Sequence, residues 1–99
     1  MQIQIFWNVR EYLRTLSFNE QSVIGRQIEI LQSGDNAGIR TKQLKGPIRE
    51  LIIGNHRITY FVLGRRIYFV RGFRKKSKKT PPAEIEYAEK VYRELREVL

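Results

Sequence analysis

Hydrophobic and polar residues alternate at the start of the chain and then recur at helical spacing. Ile3 and Ile5 alternate with glutamines, which predicts a short first strand. Across residues 9–32 the apolar positions return every three or four residues, with a break at which Ser17 or Asn19 could cap a second helix. We therefore predict a strand followed by a helical hairpin that covers one face of a sheet.

The clearest loop in the sequence occupies residues 33–38, where Gly34 is a natural helix-ending residue. Three strand-like runs follow, at residues 42–53, 57–63 and 66–73. Gly54 and Gly64 mark tight connections between them, which favour antiparallel hairpins and leave no room for crossover helices. The third run is apolar on both faces, so we expect it to be central.

A final amphipathic helix is predicted, with Thr80 as its N-cap and Pro81 as its first helical residue. Its apolar stripe consists of Ile85, Ala88, Tyr92, Leu95 and Leu99. The order β-α-α-β-β-β-α predicts a small α+β fold with a twisted antiparallel sheet, on which the helical hairpin and the C-terminal helix pack. At 99 residues, the chain is expected to form a single domain over residues 1–99.

Positive charge is concentrated in the middle of the chain. The sequence holds 19 Lys and Arg against 10 Asp and Glu, a formal charge of +9. Residues 41–79 contain twelve Lys or Arg and one acid, Glu50, which leaves +11 in this stretch. Such crowding costs stability unless an anion binds there, so it indicates a polyanionic partner; a basic face selected for solubility is the alternative.

Several kinds of site are excluded by composition. Cysteine is absent, which excludes a disulfide scaffold, a thiol nucleophile and a cysteine zinc site. The single histidine, His56, cannot form a histidine metal site alone, so we expect no metal and no cofactor. No secretory signal and no apolar run of about 20 residues is visible, which predicts a cytoplasmic protein without a membrane partner.

The residue types that remain for chemistry are Lys, Arg, Tyr and His56, a set suited to holding and polarising a phosphodiester. A lysine crowded by other cations can act as a base toward a ribose 2′-hydroxyl, and an arginine can stabilise the charge that develops on phosphorus. This chemistry needs RNA and no metal. The sharpest local signal is the basic segment 73–82, for which a basic linker or a nonspecific nucleic-acid clamp remains an alternative.

Other polar and aromatic residues have structural explanations beside functional ones. His56 is either a polar residue next to a turn or an acid or base, and Arg57 is either functional or a surface arginine paired with Glu50. Phe61 and Phe69 are predicted to lie side by side on an open face, where they would stack on a base or meet a protein partner. The tyrosines on presumed core faces are expected to pack: Tyr60, Tyr68 and Tyr92.

Three stretches together resemble a known family: Lys42-Gln-Leu-Lys-Gly-Pro-Ile-Arg-Glu-Leu, His56-Arg-Ile-Thr-Tyr-Phe, and the run from Val70 to Ala88. The most specific part is Gly-Phe-x-Lys-Lys-x-x-Lys-Thr-Pro-x-x-Glu-Ile-x-x-Ala. The chain resembles the HigB-like, phage-derived-type branch of the RelE/ParE toxin superfamily over about residues 8–97. The resemblance implies a RelE-like fold and an mRNA interferase, that is, a ribosome-dependent mRNA endonuclease of a type II toxin–antitoxin system. It also implies an antitoxin partner, often with a helix-turn-helix domain.

The resemblance also implies site residues. Arg57 matches the strand arginine associated with phosphate stabilisation, and Lys75 or Lys76 is the candidate base. The residues expected to grip the RNA backbone are Lys42, Lys45, Arg65, Arg74, Lys78 and Lys79. All of these cations are expected to gather in one pocket.

The chain departs from the family in one place and leaves two other functions open. The family usually has Glu-Leu-Arg where this chain has Glu50-Leu51-Ile52. Arg49 is expected on the opposite face of the strand from residue 52, so it does not replace the missing arginine. A ParE-like toxin that inhibits gyrase without cleaving RNA would use Phe61 and Phe69 for docking. A plain nucleic-acid-binding module is the third alternative.

Overall fold

The computed structural model describes residues 1–35 and 38–99; Asn36 and Ala37 of the predicted loop lie outside the described residues. The strands are β1 (Gln2–Ile5), β2 (Arg40–Lys45), β3 (Ile48–Ile53), β4 (His56–Leu63) and β5 (Arg66–Arg74). The helices are α1 (Trp7–Arg14), α2 (Phe18–Ser33) and α3 (Pro82–Val98). These elements confirm the predicted α+β class, with one more strand than the sequence pattern indicated.

The strands form one sheet in the order β1-β5-β4-β3-β2. β2, β3, β4 and β5 pair antiparallel, as predicted, whereas β1 pairs parallel with β5. The prediction of a wholly antiparallel sheet is therefore wrong for β1, because an alternating pattern carries no information about strand direction. β5 is an interior strand, in keeping with its two apolar faces, although β4 occupies the middle of the sheet.

The predicted run 42–53 is two strands rather than one. The chain reverses at Gly46, which has a positive φ of 54°, and at Pro47, whose ring removes a backbone donor. Arg40 lies opposite Ile52, so β2 folds back on β3 and becomes the edge of the sheet. The tight connections predicted at Gly54 and Gly64 are confirmed.

The helical hairpin covers one face of the sheet, as the sequence predicts. The Ser17 hydroxyl accepts the backbone N–H of Glu20 at 3.1 Å, and the Glu20 carboxylate accepts that of Ser17 at 3.2 Å, which forms a capping box. α2 ends at Gly34 in the left-handed region. The core of this hairpin face contains Val9, Leu16, Ile24, Ile28, Leu51, Ile58, Tyr60, Ile67 and Phe69.

α3 covers the opposite face, which we call the α3 face. Its core contains Ile48, Phe61, Tyr68, Val70, Ala88 and Val91, with Tyr92 packed against it. Phe61 and Phe69 are both fully buried, one in each core, so the predicted open aromatic surface does not exist. Phe61 lies opposite Tyr68 rather than Phe69, and a shift of one residue moves a side chain to the other face.

The start of α3 also differs from the prediction. The helix begins at Pro82 and its N-cap is Pro81, which makes no side-chain cap. The Thr80 hydroxyl instead donates to Glu50, because the chain before α3 crosses the α3 face and a buried carboxylate needs a donor there. No helix in the described part of the chain is both long and apolar enough to cross a membrane.

Candidate functional site

The predicted cations divide between two ends of the sheet. One end, which we call the basic end, is where β4 begins and β5 finishes; it holds Arg57 and Arg74, followed by Lys75 and Lys76. The other end, where β4 finishes and β5 begins, holds Arg65 in its turn. β4 has eight residues, so the two ends are roughly 23 Å apart at about 3.3 Å per residue. The cations therefore do not share one pocket.

The remaining predicted RNA-binding residues lie at several places. Lys45 also belongs to the far end of the sheet, where its Nζ is 3.6 Å from the Glu89 carboxylate. Lys42 is exposed on the edge strand β2 and pairs in register with Glu50. Lys78 and Lys79 are exposed in the segment before α3. This segment, residues 75–81, directly follows β5 and therefore starts at the basic end.

Arg57 lies on the α3 face and is nearly buried, with 8% of its surface exposed. Its Nη1 donates to the carbonyl of Gly54 at 2.7 Å and to that of His56 at 3.0 Å. Its Nε is 3.9 Å from the Glu50 carboxylate and, within residues 1–35 and 38–99, meets no hydrogen-bond partner. The alternative of a pair with Glu50 is thus observed, but the pair is long and buried rather than exposed.

Lys75 shares the α3 face with Arg57 by strand alternation. Arg57 lies opposite Phe73, and the backbone N–H of Lys75 donates to the carbonyl of Asn55 at 2.7 Å, which extends the β4–β5 pairing by one step. Residues two apart in an extended strand point to the same face. Lys75 is half-buried and Lys76 is exposed, so the two candidate bases have different surroundings.

Ile52 occupies the position at which the family motif usually has an arginine. It lies directly opposite Arg57 on the α3 face, where the family arginine would place a second cation. Arg49 is on the hairpin face, where it donates to the Tyr60 hydroxyl at 3.3 Å and to the Thr41 hydroxyl at 3.0 Å. The prediction that Arg49 and residue 52 lie on opposite faces of the strand is confirmed, so Arg49 does not replace the missing arginine.

A polar cluster that the sequence did not predict lies on the hairpin face of the basic end. Nε2 of His56 is 2.8 Å from the Glu20 carboxylate, and Nδ1 is 2.6 Å from the Tyr12 hydroxyl. Because the carboxylate only accepts, Nε2 carries a hydrogen, and in the neutral ring Tyr12 donates to Nδ1. Arg74 Nη2 lies 3.9 Å from the same Glu20 carboxylate. The cluster thus joins α1, α2, β4 and β5.

Hydrogen bonds and burial shift two pKa values in this cluster. The Ser17 backbone N–H, and then the His56 ring, lower the pKa of the Glu20 carboxyl, so it is ionised at neutral pH. Burial raises the pKa of the Tyr12 phenol; Arg74 opposes this shift and Glu20 adds to it. Tyr12 therefore stays a neutral donor, and Glu20 carries a fixed negative charge beside Arg74.

This cluster forms part of the wall of an open cavity of about 430 Å³ at the basic end. The cavity is lined by Asn19, Glu20, Val23, Ile53, Gly54, Asn55, His56 and Arg74. Of the residues predicted to bind RNA, the cavity contains Arg74. Sequence reasoning missed the cavity because its walls come from α2, the β3–β4 turn and the end of β5, which are distant in the chain.

The fold is that of RelE-like proteins. The chain is similar to RelE in the crystal structure of the RelB–RelE antitoxin–toxin complex from Methanococcus jannaschii, with a TM-score of 0.61 and 23% identity. The similarity covers 71% of this chain and 87% of that chain.

Residues 11–93 match the family described as phage derived protein Gp49-like (DUF891). The chain therefore belongs to the Gp49-like family, and the resemblance to the HigB-like branch of the RelE/ParE superfamily is confirmed. No curated protein sequence matches the chain.

Proposed function

We propose that this protein is the toxin of a toxin–antitoxin pair and that it cleaves mRNA on the ribosome. The Gp49-like family and the RelE-like fold support the toxin assignment. The net charge of +9 supports a polyanionic target. The proposed place of action is the cytoplasm, where translating ribosomes are found.

The observation that carries the nuclease assignment is the environment of Arg57 at the basic end. Arg57 is nearly buried, and its Nε has no hydrogen-bond partner among residues 1–35 and 38–99. An unpaired buried donor costs about 1–3 kcal/mol. A phosphate oxygen would supply the missing acceptor and would compete with Glu50, which is 3.9 Å away. Arginine suits this task because its planar fork matches two phosphate oxygens.

The proposed reaction breaks one P–O bond and forms another. Lys75 or Lys76 takes the proton from a ribose 2′-hydroxyl, and the 2′-oxygen attacks the adjacent phosphorus. Arg57 stabilises the additional negative charge on the phosphoryl oxygens. The P–O bond to the next nucleotide breaks, its 5′-oxygen leaves with the proton that the lysine had accepted, and a 2′,3′-cyclic phosphate remains. The step is metal-independent.

The other predicted cations would bind the RNA backbone at separate places. Lys78 and Lys79 would hold phosphates near the scissile bond, and Arg74 would contact the RNA from the cavity wall. Lys45 and Arg65 lie at the far end of the sheet and Lys42 lies on its edge strand, so they would contact other backbone segments of the messenger or the ribosome. Contacts of this kind contribute affinity that decreases steeply as the salt concentration rises.

The proposed protein partner is an antitoxin, often of the helix-turn-helix type in this superfamily. The M. jannaschii structure is that of an antitoxin–toxin complex. An antitoxin that neutralises this chain would be expected to carry acidic residues opposite residues 41–79. Co-expression of the adjacent open reading frame with this chain tests that partnership by rescue of growth.

The central experiment compares variants on translating ribosomes. Arg57→Lys keeps the charge beside Glu50 but loses the fork, and a Lys75→Ala/Lys76→Ala double variant removes both candidate bases. We expect each to abolish growth arrest and mRNA cleavage mapped by primer extension. The matched control is Lys90→Ala/Arg93→Ala, which removes two exposed cations from α3 and should leave cleavage intact.

Three results would overturn the proposal. Unchanged toxicity in both test variants would remove the assigned residues from catalysis. Growth arrest with stable mRNA and induced DNA damage signalling would indicate gyrase inhibition instead. Salt-sensitive RNA binding without a cleavage product or growth phenotype would indicate a nucleic-acid-binding module.

A further inference from the structure

The cavity at the basic end has the chemistry of a nucleobase-binding site. Its polar walls include an ionised carboxylate, Glu20, and a guanidinium, Arg74, and its apolar walls are Val23 and Ile53. We propose that this cavity binds an unpaired guanine base of the RNA substrate. The inference rests on the proposed function, because it assigns a base preference to the same RNA.

Guanine matches this pair of groups better than the other bases do. Its N1–H and N2 amino group donate side by side to a carboxylate, while its O6 and N7 accept side by side from an arginine fork. Adenine offers the carboxylate one amino group, cytosine offers one amino group, and uracil offers one ring N–H. The match to both Glu20 and Arg74 therefore selects guanine.

Glu20 is held in place before any ligand arrives. Its Oε1 accepts the Ser17 backbone N–H at 3.2 Å, and its Oε2 accepts Nε2 of His56 at 2.8 Å. Each carboxylate oxygen retains a second lone pair for an incoming donor. Because Tyr12 fixes the other side of the His56 ring, the carboxylate has little freedom to turn away. Such preorganisation reduces the entropy cost of binding.

Arg74 is less constrained than Glu20. Its side chain is about half exposed, and its Nη2 is 3.9 Å from the Glu20 carboxylate, which is beyond hydrogen-bond distance. The separation leaves the fork of Arg74 available to a ligand. A base that presents donors to Glu20 and acceptors to Arg74 would replace a weak exposed ion pair with two sets of paired hydrogen bonds.

Phe18 is an exposed aromatic residue at the start of α2, the helix that supplies Asn19, Glu20 and Val23 to the cavity wall. It is 86% exposed and immediately precedes Asn19, which lines the cavity. A large exposed ring is unfavourable in water, and rings of this kind stack on unpaired bases. In the part of the chain that the structure describes, neither core includes this ring.

The cavity and the proposed reaction site both lie at the basic end of the sheet. His56 lines the cavity on the hairpin face, and the next residue, Arg57, points to the α3 face. On the neighbouring strand, Arg74 lines the cavity, and Lys75 follows on the α3 face. An RNA strand that passes over the basic end would place a base in the cavity and a nearby phosphate toward Arg57.

Binding is tested with the full chain and free nucleotides, so that neither cleavage nor ribosomes are needed. The probes are GMP, IMP, AMP, CMP and UMP, titrated while the amide resonances of residues 19–23 and 54–56 are followed by NMR. We expect GMP to bind about tenfold more tightly than IMP, which lacks the N2 amino group, and than the other three. Equal affinity for all five would indicate phosphate binding and would overturn the proposal.

Two variants with matched controls identify the groups involved. Glu20→Gln can still complete the capping box, since Gln is accepted at that position, but it loses the charged double acceptor. Glu11→Gln, which alters an exposed pair with Arg14, is its control. Phe18→Ala removes the ring, and Trp7→Ala, which removes another exposed ring outside the cavity, is its control. We expect each test variant to weaken GMP binding about tenfold and each control to leave it unchanged.

The outcome separates this inference from the proposed function. Guanine-selective binding by a protein that cleaves no mRNA would support the cavity assignment and overturn the nuclease assignment. Cleavage sites without any excess of guanine nearby, together with no GMP preference, would overturn the cavity assignment alone. If Glu20→Gln fails to fold, as judged by circular dichroism, the comparison of GMP with IMP on the unaltered chain still decides the question.

Discussion

Thr80 donates its hydroxyl hydrogen to Oε1 of Glu50 over 2.6 Å, between residues that are respectively 9% and 2% exposed. This contact ties the segment 75–81 to β3. It also supplies the buried Glu50 carboxylate with a short hydrogen bond, whereas Arg57 is 3.9 Å from the other carboxylate oxygen. Thr80 therefore supports both the path of the basic segment and the charge balance around Arg57.

Thr80→Val is expected to lower the free energy of unfolding by about 1–3 kcal/mol, because the buried Glu50 carboxylate loses its hydroxyl donor while the side-chain volume is kept. Urea denaturation at neutral pH measures the change. Thr15→Val is the matched control, since the Thr15 hydroxyl is exposed and bonds to the carbonyl of Tyr12. The control should change stability by less than about 0.5 kcal/mol. An equal effect in both variants would contradict the role assigned to Thr80.

Ile52→Arg is expected to raise the rate of mRNA cleavage on ribosomes by at least about tenfold, because it places a second guanidinium opposite Arg57 on the α3 face. The rate is measured by quantitative primer extension. Val62→Arg adds the same charge at an exposed position of β4 and should leave the rate unchanged. A rise in both variants would indicate a general charge effect on RNA binding.

Glu20 makes the free energy of unfolding depend on pH in the acidic range. Its pKa is lower in the folded protein, chiefly because of the Ser17 backbone hydrogen bond and then the His56 ring. The stabilisation is complete above the pKa of the unfolded chain, near 4.5, and is lost as the pH falls through the folded value. Urea denaturation from pH 7 to pH 3 should show the wild type losing its advantage over Glu20→Gln below about pH 4.5. An advantage at pH 3 that is as large as the advantage at pH 7 would contradict this origin.

Gly72→Ala and Gly25→Ala should change stability in opposite directions. A Cβ at Gly72 would come within 2.8 Å of Cδ2 of Tyr12, so the Tyr12 side chain must shift, at a cost of about 1–3 kcal/mol. A Cβ at Gly25 would meet no atom within 4 Å in the middle of α2, where alanine is favoured by about 0.5–1 kcal/mol. Thermal unfolding of the two variants measures both effects. Loss of stability in both would contradict the close packing argued for Gly72.

The parts of the fold that depend on local signals could be predicted from the sequence. Ser17 and Gly34 mark the limits of α2 because a capping side chain and a left-handed residue act within one turn of the helix. Gly54 and Gly64 likewise locate the hairpins. By contrast, Pro47 divides the run 42–53, and the hydrophobic pattern alone concealed that division.

The features that depend on pairing between distant residues could not be predicted. The faces of Phe61 and Phe69 follow from the β4–β5 register, which is shifted at an irregularity between Thr59 and Tyr60. The polar cluster around His56 depends on contacts with residues 36 and 44 positions away in the chain. The basic segment was located from composition and family resemblance, whereas the distribution of cations over two ends of the sheet required the strand order.

β1 pairs with β5 through residues 64 positions apart, from Gln2 with Arg66 to Ile5 with Phe69. During synthesis, β1 therefore cannot pair until β5, the last strand before α3, has left the ribosomal exit tunnel. We expect the sheet to be completed late in synthesis, after the β3–β4–β5 hairpins have formed. For a protein proposed to attack translation, such delayed maturation would give a co-translated inhibitor time to bind.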